Sequence, residues 1–152
     1  MKQPVFEGVA TALVTPFQSS TVDYPKLEQL LDFQLASGVD AIVVCGTTGE
    51  AATMTPQEQL GVIAHCIRYV AGRCKVIAGT GSNSTAHCLE TSRVAASIGA
   101  DALLLVTPYY NKCTQAGLIA HYLSVADAVS IPVILYNVPS RTGVDISVDT
   151  YR

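Results

Sequence analysis

The sequence predicts an α/β fold built on a parallel sheet, and three observations support this. Five short hydrophobic runs rich in β-forming residues alternate with longer segments of helical periodicity. The runs are continuous rather than alternating in polarity, as expected of strands buried on both faces. Capping residues and prolines mark the helix starts, and glycines mark the ends. Strict alternation implies parallel strands, in either a closed barrel or an open doubly wound sheet.

Taken in order, the predicted strands cover residues 9–14, 41–45, 76–78, 102–106 and 132–136. Leucines at helical spacing predict a first helix after Asp23 and Pro25. A capping box at residues 55–58, with proline at the first helical position, opens the second helix. Ser84 and Thr114 are the predicted N-caps of the third and fourth helices. A fifth helix is expected to begin near residues 145–147.

An internal echo supports a repeated strand–helix unit. Residues 37–42 resemble residues 97–103, and in both a helix ends, glycine turns the chain and a strand follows an aspartate. Because helix-to-strand turns favour glycine and aspartate in general, the echo indicates βα alternation and says little about function.

Composition and charge exclude several classes of protein. Hydrophobic residues make up 49% and charged residues 14% of the chain, which argues against disorder. The net charge of −3 offers no basic surface to nucleic acid or anionic lipid. We expect no signal peptide and no membrane span, and interpret the protein as cytoplasmic. The odd number of cysteines, five, predicts free thiols, and no metal site is predicted because His65-Cys66 and His87-Cys88 pair neighbouring helix residues.

Polar clusters follow the end of every predicted strand. They lie at residues 15–16, 46–50, 79–83, 107–111 and 136–143. The carboxyl ends of parallel strands meet at one rim of a sheet, where active sites of α/β proteins lie. The sequence therefore places hydroxyl groups, tyrosines and Arg141 on a single surface.

These clusters leave alternatives open. The turn at residues 46–50 could hold a carboxylate or phosphate through backbone N–H groups, or it could be a plain βα turn with a helix-capping threonine. Arg141 could bind a substrate carboxylate or pair with Asp145. Residues 79–84 begin like a dinucleotide fingerprint but lack its third glycine, which weakens a nucleotide-binding hypothesis.

Three segments carry a family resemblance: residues 46–50 (GTTGE), 107–111 (TPYYN) and 136–143 (YNVPSRTG). Together they resemble the dihydrodipicolinate synthase family, from about Phe6 to the last residue. The resemblance implies a (β/α)8 TIM barrel, of which this chain would hold about the first five strands and four helices. Residues 1–152 would then be the N-terminal part of a single barrel domain.

The resemblance also implies the chemistry. Members condense pyruvate, held as a Schiff base on a lysine, with aspartate semialdehyde, and they need no cofactor or metal. By similarity, a proton relay consists of Tyr136, Thr47 and Tyr110. Substrate carboxylates are bound by Thr48 and Gly46 on the pyruvate side and by Arg141 on the side of the second substrate.

Related pyruvate-dependent lyases such as N-acetylneuraminate lyase share the barrel and the GTTGE-type loop. Arginine at position 141 favours the synthase, because aspartate semialdehyde brings its own carboxylate. In the family the tyrosine matching Tyr110 reaches into a neighbouring subunit, and many members are dimers of dimers.

The family's Schiff-base lysine lies on the sixth strand, beyond residue 152. The lysines present are Lys2, Lys26, Lys75 and Lys112, and only Lys112 is expected on the correct rim. We therefore expect the isolated chain to be inactive, and a catalytically inactive fragment is the alternative interpretation. The open edges of a half-barrel also predict poor solubility or oligomerisation.

A last expectation concerns feedback control. Lysine-inhibited members bind lysine at the dimer interface, and Asn83 and Tyr109 match that site. Pro56 and Gln59 stand where such members often have histidines, and His87 stands where they often have glutamate. With fewer anionic partners for an ammonium group, lysine inhibition of the full-length enzyme is expected to be weak or absent.

Overall fold

A computed structural model describes residues 4–152. Strands β1 to β7 span, in order, Ala10–Ala12, Phe17–Gln18, Thr21–Val22, Ala41–Val44, Lys75–Gly79, Ala102–Val106 and Val133–Tyr136. Helices α1 to α6 span Tyr24–Ala36, Pro56–Val70, Thr85–Ser97, Gln115–Ala126, Pro139–Thr142 and Val148–Tyr151. Five strands form one parallel sheet in the order β1-β4-β5-β6-β7, and this confirms the predicted α/β class.

The predicted helix starts are confirmed at atomic detail. Thr55 and Glu58 form the reciprocal capping box of α2. Asp23, Ser84 and Thr114 accept hydrogen bonds from backbone N–H groups in the first turns of α1, α3 and α4. Each cap satisfies an amide that the helix itself leaves without a partner, so local sequence fixes where the helices begin.

The sheet separates two apolar clusters. One face carries Ile42, Val44, Leu103 and Leu105, which pack against the helices in the main core. The opposite face carries a smaller cluster of strand residues, with Ala41, Ile77 and Ala102 at its centre. Both faces are therefore apolar, which explains the continuous hydrophobic runs of the strands.

The internal echo has a structural role at the amino ends of the strands. Asp40 Oδ2 accepts the N–H of Val9 at 2.7 Å, and Asp101 Oδ2 accepts the N–H of Val76 at 2.9 Å. In each case an aspartate directly before one strand binds a backbone N–H at the start of the neighbouring strand. The repeated aspartate therefore sets register at the rim opposite the candidate site.

Two elements were not predicted. Strands β2 and β3 form a small antiparallel hairpin around Ser19 and Ser20, and both serines adopt positive φ angles. Helix α5 lies within residues 136–143, which the sequence indicated only as a polar loop. The fifth helix expected to begin near residues 145–147 is confirmed as α6, whose N-cap is Ser147. Lys2 lies outside the described residues.

The two edge strands, β1 and β7, each pair with one neighbour and have no strand partner on their outer side within residues 4–152. Every residue of β7 is only half-buried, whereas most residues of β4, β5 and β6 are buried. Apolar side chains beside β7 are also exposed, including Leu123 and Tyr151. No helix in the described part of the chain is long and apolar enough to cross a membrane.

Candidate active site

A cleft of about 400 Å³ opens at the carboxyl ends of the sheet strands. It brings together residues from four of the five predicted polar clusters. Its walls include these residues of the predicted site: Gly46, Thr47, Tyr109, Tyr136, Arg141 and His87. The prediction that strand ends converge on one surface is confirmed for the members of the polar clusters, whereas His87 comes from α3.

The turn at residues 46–50 is held from two sides. Its own backbone closes the turn, because the N–H of Gly49 binds the carbonyl of Gly46 at 3.1 Å. From the segment that follows β1, the buried Thr15 hydroxyl donates to the carbonyl of Gly49 at 2.8 Å. A Cβ at Gly49 would lie 3.1 Å from the carbonyl oxygen of Leu13, so glycine allows this close approach.

This turn exposes donors rather than capping a helix. Helix α2 is capped by Thr55, so the interpretation of Thr47 or Thr48 as its helix cap is wrong. Within the described residues, neither the N–H groups nor the hydroxyls of Thr47 and Thr48 have a hydrogen-bond partner. Adjacent free amides and hydroxyls suit a small carboxylate or other anion.

Tyr136 ends β7 and faces the cleft from a fixed backbone. Its carbonyl accepts the N–H of Thr107 at 3.1 Å and the Thr107 hydroxyl at 3.3 Å. The Tyr136 hydroxyl has no hydrogen-bond partner in the described part of the chain. Thr47 and Tyr136 therefore share a cleft without bonding to each other, and both hydroxyls are free to meet a ligand.

Arg141 lies on α5, in a turn held by hydrogen bonds. The Thr142 hydroxyl donates to the carbonyl of Val144 at 3.0 Å. Asn137 Nδ2 donates to Asp145 Oδ1 at 2.6 Å, and Asn137 Oδ1 accepts the N–H of Ile146. The predicted alternative, an Arg141–Asp145 salt bridge, is wrong, because no ion pair in residues 4–152 involves Arg141.

Three residues of the predicted site lie outside the cleft wall: Thr48, Tyr110 and Asn83. Tyr110 is 89% exposed and has a positive φ of 72°. Asn83 Nδ2 lies 3.3 Å from the Tyr109 carbonyl and 3.4 Å from Asn111 Oδ1, which flank Tyr110 on either side. Tyr110 therefore projects away from this chain on a braced loop.

No lysine among the described residues lines the cleft. The cleft does contain Cys45, but burial, with a smaller contribution from nearby Cys66, raises the pKa of its thiol to about 12. A neutral, buried thiol behaves as an apolar part of the cleft lining and is a poor nucleophile. The described residues thus supply hydroxyls and a cation, and no side chain suited to covalent attack.

The glycines of residues 79–84 serve packing rather than nucleotide binding. A Cβ at Gly79 would lie 2.2 Å from the carbonyl oxygen of Cys45, and a Cβ at Gly81 would lie 2.4 Å from the N of Val106. Both glycines face neighbouring backbone, so their spacing is explained without a dinucleotide.

Sequence reasoning missed the residues that hold the site together. Thr15, Thr107, Asn137 and Thr142 each fix a segment that carries a cleft residue. A weak signal was present, because all four lie in the polar clusters that follow the predicted strands. Gln59 also holds the cleft wall, since its side chain donates to the carbonyl of Gly79 at 2.9 Å.

The cleft, the turn at residues 46–50 and Arg141 define an α/β chain with a polar cleft at the carboxyl ends of its strands. Comparison with known proteins gives the family. The chain belongs to the dihydrodipicolinate synthetase family, whose profile matches residues 5–152.

Relatives share this half of the molecule. The 4-hydroxy-tetrahydrodipicolinate synthase of Thermoanaerobacter sp. (strain X514) is 55% identical over 148 residues, covering 97% of this chain and 50% of the relative. That of Geobacter metallireducens is 56% identical over 146 residues, covering 96% and 50%. The chain thus spans about half the length of the curated relatives it matches.

Solved structures agree with the fold. The crystal structure of dihydrodipicolinate synthase from Aquifex aeolicus is 51% identical with a TM-score of 0.95, covering 96% of this chain and 50% of that one. The chloride-inhibited synthase of Acinetobacter baumannii, complexed with pyruvate, is 51% identical with a TM-score of 0.91, covering 94% and 50%. The five-stranded sheet with its helices is therefore a partial (β/α)8 barrel.

Proposed function

We propose that residues 1–152 are the N-terminal part of a single barrel domain that condenses pyruvate with aspartate semialdehyde. One observation carries the proposal: Thr47, Tyr136 and Arg141 line one cleft, with the hydroxyls of the first two and the Arg141 guanidinium unpaired within the described residues. Membership of the family and the pyruvate complex of a relative support the choice of substrate.

Each residue of the cleft would have a role that follows from its position. The free amides and hydroxyls of Thr47 and Thr48, with Gly46 closing their turn, would hold the pyruvate carboxylate. Thr47 and Tyr136 would pass a proton through their hydroxyls, since a hydroxyl can both donate and accept a hydrogen bond. Arg141 would bind the carboxylate of aspartate semialdehyde, for which a fork of donors is well suited.

The Schiff-base lysine would come from a segment outside these residues, because no described lysine reaches the cleft. No cofactor or metal enters this scheme. Of its steps, this chain supplies carboxylate binding and proton transfer, while the covalent step belongs to the absent lysine.

Tyr110 would complete the relay of a neighbouring subunit. Its side chain is 89% exposed and lies outside its own cleft. A tyrosine on a braced, outward-facing loop fits a dimer in which the Tyr110 hydroxyl of each subunit lies in the active site of the other. The complete protein would then be a dimer of dimers.

The experiment is a hybrid barrel, in which this chain is joined to the C-terminal half of the Thermoanaerobacter relative. We expect pyruvate-dependent consumption of aspartate semialdehyde. Tyr136→Phe and Thr47→Val should each lower kcat about 100-fold or more, as loss of a proton-transfer group does. Tyr24→Phe, which removes a hydroxyl far from the cleft, is the matched control. A Tyr136→Phe hybrid with unchanged kcat would overturn the relay.

Two further measurements on the hybrid separate the finer claims. Mixing Tyr110→Phe with Tyr136→Phe subunits should restore activity, because mixed dimers carry one intact relay; no recovery would place Tyr110 outside the neighbour's site. Arg141→Ala should raise the KM for aspartate semialdehyde and leave the KM for pyruvate nearly unchanged. If N-acetylneuraminate is the better substrate, the related-lyase alternative replaces the synthase.

A further inference from the structure

The guanidinium of Arg141 is unpaired although carboxylates are close by in the sequence. Asp145 follows it by four residues, and Asp149 by eight. Glu50 also lines the same cleft. An arginine and a carboxylate on one short loop ordinarily attract each other, so the absence of an ion pair to Arg141 in residues 4–152 calls for a physical cause.

The two nearby aspartates are held by other partners. Asp145 Oδ1 accepts a hydrogen bond of 2.6 Å from Asn137 Nδ2, and Asp149 lies 3.6 Å from the guanidinium of Arg152. Asp145 is further fixed through its backbone, because Gln115 donates to its carbonyl at 2.8 Å. The carboxylate nearest to Arg141 in sequence is thus turned toward Asn137.

Asn137 is suited to holding Asp145 because its side-chain amide has a nitrogen that donates and an oxygen that accepts hydrogen bonds. Its amide nitrogen can donate to a carboxylate, and its amide oxygen accepts the N–H of Ile146 at 3.3 Å. The pair of partners fixes the orientation of the amide, since only the nitrogen can face Asp145. Asn137 directly follows Tyr136, so the same backbone places the cleft tyrosine and the residue that restrains Asp145.

We propose that Asn137 is a positioning residue for Arg141: by binding Asp145, it keeps the guanidinium unpaired and available to a carboxylate-bearing ligand. The inference rests on the proposed role of Arg141 in binding a substrate carboxylate. Without the Asn137 amide, Asp145 is released on the same loop and competes with the ligand for Arg141.

Binding of propionate to the full chain tests this, with propionamide as the uncharged comparison. Ligand-observed saturation-transfer NMR measures the Kd and tolerates weak ligands and large assemblies. Asn137→Ala should raise the Kd of propionate about fivefold. This is the effect expected if Asp145 forms an ion pair with Arg141 that is as strong as a favourable exposed pair, because propionate must then displace Asp145. Arg141→Ala should raise it at least as much.

The decisive variant is Asn137→Ala combined with Asp145→Asn. If Asp145 is the competitor, removing its charge returns the Kd to within about twofold of the unmodified chain. Asn137→Ala combined with Asp127→Asn is the matched control, because it removes one charge from an exposed position at the end of α4 and should give no recovery.

The outcomes separate the two proposals. Equal weakening in Asn137→Ala and in its Asp145→Asn double variant would mean that Asn137 only supports the loop, and would overturn the inference. An unchanged Kd in Asn137→Ala, with a raised Kd in Arg141→Ala, would do the same while leaving Arg141 as the anchor. An unchanged Kd in Arg141→Ala would defeat the proposed anchor itself.

Discussion

Replacing Gly81 with alanine should destabilise the fold strongly, because the added methyl group has no space. Its Cβ would lie 2.4 Å from the N of Val106, 2.9 Å from Val106 Cγ1 and 3.1 Å from the carbonyl carbon of Leu105. Favourable contacts between heavy atoms are about 3.5–4.0 Å, so the gap must widen by roughly 1 Å. Two of these atoms are backbone atoms of β6, which cannot move aside as a flexible side chain can.

Overpacking of this kind costs about 1–3 kcal/mol and sometimes more, and a backbone clash belongs at the upper end. Urea unfolding slopes are about 1–3 kcal/mol per molar, so a loss of about 3 kcal/mol lowers the midpoint by at least about 1 M. The assay is urea unfolding followed by circular dichroism at one fixed protein concentration. Gly79→Ala should behave alike, since its Cβ would lie 2.2 Å from the carbonyl oxygen of Cys45.

Gly117→Ala is the matched control, in the first turn of α4. The nearest atoms to a Cβ there lie at 3.4 and 3.5 Å, an ordinary contact. Alanine is favoured over glycine in a helix by about 0.5–1 kcal/mol, so this variant should be slightly more stable. The same substitution is thus predicted to have opposite signs at the two sites. Equal midpoints for Gly81→Ala and Gly117→Ala would refute the packing explanation of the Gly79–Gly81 segment.

Three further predictions concern thiols, pH and assembly. Because burial raises the pKa of Cys45 and Cys66 to about 12, iodoacetamide at pH 8 should modify half-buried Cys113 first; early labelling of Cys45, read by peptide mass, would contradict this. Burial lowers the pKa of His121 below its ordinary value of 6.5, so the unfolded state binds the proton more readily and stability should fall as pH drops below about 6.5. His121→Gln should flatten that dependence in unfolding measured between pH 5 and 8, and an unchanged slope would assign it to other groups. The open edges at β1 and β7 predict concentration-dependent self-association, and a single monomeric species across a sedimentation series would argue against it.

Lysine sensitivity is a separate expectation for the hybrid barrel. His87 lines the cleft, as do Pro56 and Gln59, and Gln59 already uses its side-chain amide on the carbonyl of Gly79. None of these three side chains offers a negative charge to an ammonium ligand. We predict weak or absent inhibition by lysine in a steady-state assay, and strong inhibition at submillimolar lysine would contradict this.

Much of the fold could be predicted, because its signals are local. Continuous hydrophobic runs predicted the five sheet strands, and the capping residue Thr55 predicted the start of α2. The β2–β3 hairpin was missed because Ser19 and Ser20 occupy positive-φ positions that usually call for asparagine or glycine. Helix α5 was missed because a single turn has no periodicity to detect.

The candidate site was predictable in its parts and not in its contacts. Strand ends converge in any parallel sheet, which was enough to place Thr47, Tyr136 and Arg141 on one rim. The choice of Asp145 between Arg141 and Asn137 depends on loop geometry that spacing does not encode. The bond from Thr15 to the Gly49 carbonyl joins residues 34 positions apart, beyond the reach of any local signal.

The most direct test of the central claim is intact mass after treatment with pyruvate and borohydride, which reduces a Schiff base to a stable adduct. The 152-residue chain should show no adduct, while the hybrid barrel should gain the mass of one reduced pyruvate on its C-terminal half. An adduct on the chain alone, mapped by peptide mass to Lys112 or another of its lysines, would contradict the claim that the covalent nucleophile comes from outside these residues.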